Sequence, residues 1–176
     1  MYVRAKKIAI LGLFIALNML LLFLSSVWEF NTLFILAAAS FTVGIAVREY
    51  GFRLGFGYYI ANILLGFIIA PNKYYCFTLA GMGIYIFLTE LLFFLFMKTK
   101  AVPINRIMLL LAKVIIFNCF YIPVLVITPK LVYSGTLHAG IMALLVLGGQ
   151  AVLVIYDFAY HYFMDTIWVK FSKYMR

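Results

Sequence analysis

Long apolar stretches separated by short polar segments make up almost the whole chain. An α-helix needs about 20 residues to cross ~30 Å of hydrocarbon, and six stretches reach or approach that length. In lipid the backbone must satisfy its own hydrogen bonds, so each stretch predicts a transmembrane helix. The second is the shortest and needs an extension through Arg48, whose side chain can reach the headgroups. The predicted helices are residues 8–27, 33–47, 54–70, 77–97, 107–128 and 139–160.

The basic residues fall mostly on alternate segments between these helices. Of the fourteen Lys and Arg, eleven lie in the two termini and in the second and fourth loops. Lys73 and Lys130 lie in outer loops, and Lys113 lies inside helix 5. The positive-inside rule therefore predicts that both termini are cytoplasmic and that the first, third and fifth loops face out. The sequence thus predicts an all-α integral membrane protein of the plasma membrane, a bundle of six transmembrane helices with N-in/C-in topology.

Composition agrees with this fold class. The chain is 68% hydrophobic and 11% charged, whereas a soluble domain carries about 25% charge. Six crossings leave no room for a soluble domain, so one membrane domain over residues 1–176 is expected, with 161–176 as a cytoplasmic or interfacial tail. The net charge of +9 is spread over four cytoplasmic segments, which is typical of contact with anionic lipid and argues against nucleic-acid binding.

Catalytic signatures are missing from the sequence. It contains no Gly-x-Ser-x-Gly, no His-Glu-x-x-His and no phosphate-cradling glycine loop. His138 and His161 are predicted on opposite membrane faces, where they cannot share a metal or a proton relay. We therefore expect neither an enzyme, nor a cofactor, nor a metal site.

Two charged residues lie inside predicted helices. Glu90 is seven residues from the cytoplasmic end of helix 4, and Lys113 is seven residues from Arg106 at the cytoplasmic end of helix 5. Both therefore lie about 10 Å inside the inner boundary. Charges in a bilayer normally face the bundle interior, so we predict a buried ion pair between Glu90 and Lys113, with a proton or ion path as the alternative. Asp157 is expected to pair with a Lys or Arg near the inner end of helix 6.

Neutral polar residues occur near the middle of four helices, at Asn18, Asn62, Asn118 and Gln150. Side-chain amides between membrane helices usually serve packing and contribute roughly 1 kcal/mol each. Asn118 and Gln150 lie nearer the outer ends of their helices and are also candidates for the floor of an outward cavity.

The outer loops combine charged, amide and aromatic side chains, which suits a small polar ligand with a flat or apolar part. The alternative interpretation is that Pro71 and Asn72 form a turn, that Glu29 pairs with Lys73, and that the tyrosines belong to the interfacial aromatic belt. The candidate ligand-binding residues are Glu29, Asn31, Asn72, Lys73, Tyr74, Tyr75, Asn118, His138 and Gln150.

Helix 1 carries three small residues on one face, at Ala9, Gly12 and Ala16. The spacing of Gly12 and Ala16 matches the small-xxx-small pattern that lets another helix approach closely. That other helix belongs either to this chain or to a partner.

The number of helices, the topology, the small-residue face and the polar outer loops together resemble the substrate-binding S components of energy-coupling factor transporters. The chain also resembles a family of S-component-like small membrane proteins from Firmicutes that has no assigned substrate. The segments that carry this second resemblance are Glu29-Phe30-Asn31, Val43-Gly44-Ile45, Glu49-Tyr50-Gly51 and Pro71-Asn72-Lys73 with Tyr75.

The resemblance implies a function and partners. Ala9, Gly12 and Ala16 would dock on a shared transmembrane coupling subunit that works with ATPases. The outer loops, together with helices 4 to 6, would enclose a vitamin or a metal, and the small-molecule substrate stays open. The alternative is a non-catalytic scaffold subunit of a cell-envelope or cell-shape complex, like the small multipass protein of the bacterial rod-shape complex. A binding subunit should copurify with ATPases, and a scaffold should copurify with cell-wall proteins.

Overall fold

The computed structural model describes residues 2–27, 31–98, 106–127 and 139–175. Within these ranges, six helices are long and apolar enough to cross a membrane, which confirms the predicted all-α fold with six spans. The orientation of the termini stays a prediction. The helices are α1 (Tyr2–Val27), α2 (Thr32–Tyr50), α3 (Phe52–Ile69), α4 (Lys73–Lys98), α5 (Arg106–Ile127) and α6 (Ala139–Tyr162).

The second helix, which was the shortest one predicted, is longer at both ends in the structure. With 19 residues, α2 extends from Thr32 to Tyr50 and reaches about 28 Å, close to the hydrocarbon thickness. The last span is also longer than predicted. It continues beyond α6 through a π-helical segment, Phe163–Trp168, into α7 (Val169–Met175). The segment predicted as a tail is therefore helical over its described part.

The chain forms two compact units, Met1–Thr99 and Lys100–Arg176, which we call the N-terminal and the C-terminal unit. The N-terminal unit contains α1 to α4, and the C-terminal unit contains α5, α6, the π-helical segment and α7. Each is described by itself below. The single six-helix domain expected from the sequence stays a prediction.

In the N-terminal unit α2 lies at the centre and packs against α1, α3 and α4. All its residues from Ala39 to Val47 are buried, as expected for a helix that is apolar all round. The turn into α3 is compact because Gly51 has a φ of 87°, a conformation that glycine adopts without strain. A Cβ on Gly55 would lie 3.0 Å from the Cα of Val47, so the backbones of α2 and α3 are in close contact.

The C-terminal unit is built on the pairing of α5 with α6. Pro123 lies inside α5. Gly149 of α6 lies against the ring of Tyr121, whose hydroxyl donates a hydrogen bond to the carbonyl oxygen of Leu145 at 2.9 Å. In the continuation of α6, Met164 and Trp168 are buried.

Candidate functional site

The small-residue face of α1 is open in the structure. Ala9, Gly12 and Ala16 are all exposed, and a Cβ added to Gly12 would meet no atom within 4 Å. Gly12 and Ala16 line a shallow apolar groove between α1 and α3. The groove is completed by Ile15, Met19, Leu20 and Phe23 of α1 and by Leu65 and Ile69 of α3. The surface that the docking hypothesis requires is therefore present, and docking itself stays a prediction.

An open depression at the turn between α3 and α4 brings four of the candidate ligand-binding residues together. It is lined by Ser26 at the end of α1 and by Pro71, Asn72, Lys73, Tyr74 and Tyr75. Tyr74 is 59% exposed and Tyr75 is half-buried, so two aromatic rings border the depression.

The two most polar residues of this depression make hydrogen bonds within the turn. The Oδ1 atom of Asn72 accepts a hydrogen bond from the backbone N–H of Tyr74 at 3.0 Å. The Nζ atom of Lys73 donates to the carbonyl oxygens of Phe67 and Ala70, the second at 3.0 Å. A cation at the C-terminal end of α3 also complements the helix dipole. Asn72 therefore acts as a turn residue, in line with the alternative that the sequence left open. Lys73 caps α3, a role that the sequence did not predict, and its predicted partner Glu29 lies outside the described residues.

The remaining candidate residues are distributed as follows. Asn31 is exposed at the start of α2, and its side chain makes no capping hydrogen bond there. Glu29 and His138 lie outside the described residues. Asn118 and Gln150 belong to the C-terminal unit.

Asn118 and Gln150 bind each other between α5 and α6. Gln150 Nε2 donates to Asn118 Oδ1 at 2.8 Å, and Asn118 Nδ2 donates to Gln150 Oε1 at 3.3 Å and to the carbonyl oxygen of Val114 at 2.9 Å. These contacts are the ones that the predicted interhelical packing role requires. The role as a cavity floor stays a prediction.

A buried polar network joins α1, α2 and α3. Asn18 Nδ2 lies 2.9 Å from Thr42 Oγ1, 3.1 Å from Tyr58 Oη and 3.0 Å from Asn62 Oδ1. The Tyr58 hydroxyl donates to Thr42 Oγ1 at 2.7 Å. The sequence identified both asparagines but missed Thr42 and Tyr58, because a threonine or tyrosine in a membrane helix is common and gives no separate signal.

The orientation of both amides in this network is fixed. Asn62 Nδ2 donates to the backbone carbonyl oxygen of Tyr58 at 2.9 Å, so Asn62 must present Oδ1 to Asn18, which must then present Nδ2. Among the described residues, no hydrogen-bond donor reaches the Oδ1 atom of Asn18, although that residue is 1% exposed. The network therefore ties three helices together at the cost of one unsatisfied acceptor.

The structure gives Glu90 a partner different from the predicted one. Arg48 donates to Oε1 of the buried Glu90 through Nη2 at 2.7 Å and through Nε at 2.9 Å. Arg48 lies near the end of α2 and Glu90 lies in α4, so this pair joins two helices of the N-terminal unit. Arg48 was not predicted as the partner, because counting residues along each helix gives no information on the helix face on which a charge lies. The predicted pair Glu90–Lys113 would join residues of the two units and stays a prediction.

Lys113 instead belongs to a cluster of three titratable side chains in the C-terminal unit. Its Nζ atom lies 2.9 Å from Asp157 Oδ2 and 2.7 Å from His161 Nε2. His161 Nε2 is 3.8 Å from Asp157 Oδ1. Asp157 does pair with a lysine, as expected. The spacing of Asp157 and His161, four residues apart on one helix face, was a readable signal for the triad.

Compared with models of protein families, with curated proteins and with solved structures, the chain matches none.

No group of three His, Cys, Asp or Glu side chains in the described ranges could hold a metal ion. These ranges contain a shallow apolar groove on α1, an aromatic-rimmed depression at the turn between α3 and α4, and a triad of titratable side chains between α5 and α6.

Proposed function

We propose that the chain is the substrate-binding membrane subunit of an energy-coupling factor type transporter, and that it captures a small polar or vitamin-like molecule on the outer face of the cell membrane. The observation that carries this proposal is the open small-residue groove on α1. A subunit that hands its substrate to a shared coupling subunit needs such a surface, whereas a self-contained bundle has no use for it.

The shape of the groove suits a transmembrane helix of a partner. Ala9, Gly12 and Ala16 leave the backbone of α1 accessible, while Phe23 and Leu65 border the strip with bulk. Helix association in lipid depends on van der Waals contact and close backbone approach, because burial of apolar surface gives no gain against lipid tails. A concave strip of small residues is therefore a better binding surface for a helix than a surface of bulky apolar side chains.

The depression beside the α3–α4 turn is the candidate capture site. The predicted topology puts this turn on the outer side, where Tyr74 and Tyr75 can stack on a flat ligand. Since Asn72 and Lys73 already bind the turn, we expect the tyrosines to contribute most of the ligand contacts and Lys73 to contribute its remaining donor.

Affinity purification of the tagged chain from its own host in mild detergent tests the docking proposal, with mass spectrometry of proteins and metabolites. The wild type should carry a transmembrane coupling subunit and ATPases. Gly12→Leu and Ala16→Leu should lose at least about nine-tenths of these partners, since a penalty of about 1.4 kcal/mol is already tenfold. Gly81→Leu is the matched control, because Gly81 is an exposed helical glycine on α4 where an added Cβ would likewise meet no atom within 4 Å.

Two outcomes would contradict the proposal. One is the absence of ATPases from the wild-type eluate with cell-wall proteins in their place, which the scaffold alternative predicts. The other is equal recovery of ATPases with Gly12→Leu and with wild type, which would place the docking surface elsewhere.

The orientation is tested with single cysteines in a Cys76→Ala, Cys119→Ala background. Tyr74→Cys is placed at the exposed rim of the depression, and Arg53→Cys at the other end of α3. A membrane-impermeant maleimide should label Tyr74→Cys in intact cells and should label Arg53→Cys only after permeabilisation. The reverse pattern would put the depression in the cytoplasm and exclude capture from outside.

A further inference from the structure

We propose that Lys113, Asp157 and His161 form a proton-binding site whose occupancy sets how firmly α5 is held against α6. The Lys113 ammonium group of α5 reaches both Asp157 Oδ2 at 2.9 Å and His161 Nε2 at 2.7 Å on α6. One side chain of α5 therefore makes two hydrogen bonds across the helix pair.

The short contact between lysine and histidine requires one of the two nitrogens to accept a hydrogen bond. A lysine ammonium group has three N–H donors and no acceptor, so with Lys113 charged the acceptor is His161 Nε2. We therefore assign this geometry to the neutral imidazole with its proton on Nδ1, which is the proton-free state of the site.

Adding a proton to His161 Nε2 changes its preferred partner. The new N–H faces the Lys113 ammonium group, which it can neither bind nor tolerate as a neighbouring positive charge. Asp157 Oδ1 lies 3.8 Å from the same nitrogen, one helical turn away on α6. The protonated histidine therefore turns to Asp157, and Lys113 keeps one of its two hydrogen bonds across to α6.

The titratable groups near His161 along the chain are tyrosines and one carboxylate. On α6 and the π-helical segment they are Tyr156, Tyr160, Tyr162 and the exposed Asp165, and α5 contributes Lys113. The Tyr160 ring lies 5.5 Å from the imidazole. Among the side chains around this site, histidine is the one whose ordinary charge change falls between about pH 5 and 8, and the side chain of His161 is 41% exposed in the structure.

Imidazole ¹⁵N NMR of the full chain in nanodiscs tests the geometry. Since the chain has two histidines, His138→Gln leaves His161 as the sole signal. At pH 8 we expect the His161 ring to be neutral, with its proton on Nδ1 and none on Nε2. When Lys113→Met is combined with His138→Gln, we expect a shift toward the tautomer with its proton on Nε2. A His161 ring already charged at pH 8, or an Nε2–H tautomer with Lys113 in place, would overturn the proposal.

Thermal unfolding at pH 8 and pH 6 tests the consequence, and it does not depend on any transport activity. The wild type should lose about 5 °C of Tm on acidification, the size expected for one hydrogen bond to a charged group. His138→Gln should behave like the wild type. His161→Gln keeps an acceptor for Lys113 without titrating, so its Tm should not change with pH.

The sign of the effect should reverse in Lys113→Met. Without the lysine, a protonated His161 becomes the cation beside Asp157, so acid should raise the Tm of this variant. If His161→Gln keeps the wild-type fall in Tm, or if Lys113→Met falls as the wild type does, the proton site is not this triad. Because these readouts need no partner and no substrate, they can fail while the proposed transport function stands, and the reverse also holds.

Discussion

The helices of the N-terminal unit and those of the C-terminal unit are held together by different kinds of contact. Of the most apolar 18 residues of α2, 61% are buried, whereas in α5 the corresponding share is 6%. The N-terminal unit combines a central buried helix with close backbone contact at Gly55 and a polar network around Asn18. In the C-terminal unit, side-chain hydrogen bonds join α5 to α6 at three levels, at Lys113, Asn118 and Tyr121.

The difference follows from the solvent. In a bilayer, apolar surface gains nothing by leaving lipid tails, so helices associate through close packing or through polar contacts. A unit with small residues where its helices cross can associate through close packing and through polar contacts. A unit with few close crossings depends on its polar contacts, which makes those contacts the points at which a proton or a ligand can act.

The largest effect in this comparison is expected from the Arg48–Glu90 pair. Arg48→Met leaves the buried Glu90 carboxylate without its arginine, and we expect the free energy of unfolding to fall by about 3 kcal/mol. The corresponding change in the C-terminal unit, Lys113→Met, should cost about 2 kcal/mol, because Asp157 keeps His161 Nε2 within 3.8 Å as a second partner. Chemical unfolding in mixed micelles measures both values.

The double variant Arg48→Met, Glu90→Gln serves as the control for this prediction. It removes the uncompensated charge, so it should recover part of the loss seen with Arg48→Met alone. A double variant as unstable as the single one would mean that the carboxylate is not what makes the loss of Arg48 costly. Equal losses for Arg48→Met and Lys113→Met would remove the contrast between the units.

The next largest difference in stability between the units should come from close packing at one glycine of each unit. A Cβ at Gly55 would lie 2.5 Å from Val47 Cγ2 and 3.0 Å from its Cα, so backbone must move, and we expect Gly55→Ala to cost about 2 kcal/mol. The three atoms nearest to a Cβ at Gly149 all belong to the Tyr121 side chain, at 2.5 to 2.8 Å. This side chain can rotate away with the loss of its hydrogen bond to Leu145, so Gly149→Ala should cost about 1 kcal/mol.

Gly57→Ala is the matched control for this pair, since a Cβ there meets nothing within 4 Å and alanine favours a helix over glycine. It should cause no loss of stability in the same unfolding assay. A larger loss at Gly149 than at Gly55 would show that the C-terminal unit depends on close packing after all.

The six spans could be predicted from the sequence for two reasons. The bilayer thickness fixes the length of a membrane helix, and the hydrocarbon requires apolar side chains and a backbone that makes its own hydrogen bonds. The expected depth of Glu90 and of Lys113 followed from counting 1.5 Å per residue. Their partners did not, because the rotation of each helix is set by its packing with neighbours. Arg48 looked like a headgroup-directed charge at a helix end, and only the position of α4 shows that Glu90 lies within its reach.

The candidate site was predictable to a similar degree. The small residues of α1 form a pattern that could serve packing inside the chain or with a partner, and their exposure is a tertiary property. Asn72 to Tyr75 lie together at one depression because they are consecutive. That Asn72 and Lys73 would bind their own turn depended on how α3 ends, and their local pattern supported both interpretations equally.

The smallest difference in stability between the units should come from their interhelical amide contacts, at Asn18 in the N-terminal unit and at Asn118 in the C-terminal unit. Asn18→Ala removes one NH₂ group that has three acceptors within 3.1 Å, but it also removes an Oδ1 atom that no donor reaches in the described residues. The gain from the second change offsets part of the loss from the first, so we expect about 1 kcal/mol. Asn118→Ala should cost about 0.6 kcal/mol, since Gln150 is half-buried and can turn to another partner.

A double-mutant cycle of Asn18→Ala with Thr42→Val should show coupling, because both belong to one network, whereas Asn18→Ala and Asn118→Ala should be additive. A greater loss at Asn118 than at Asn18 would mean that the unsatisfied oxygen outweighs the network, and that the C-terminal amide pair is the stronger contact.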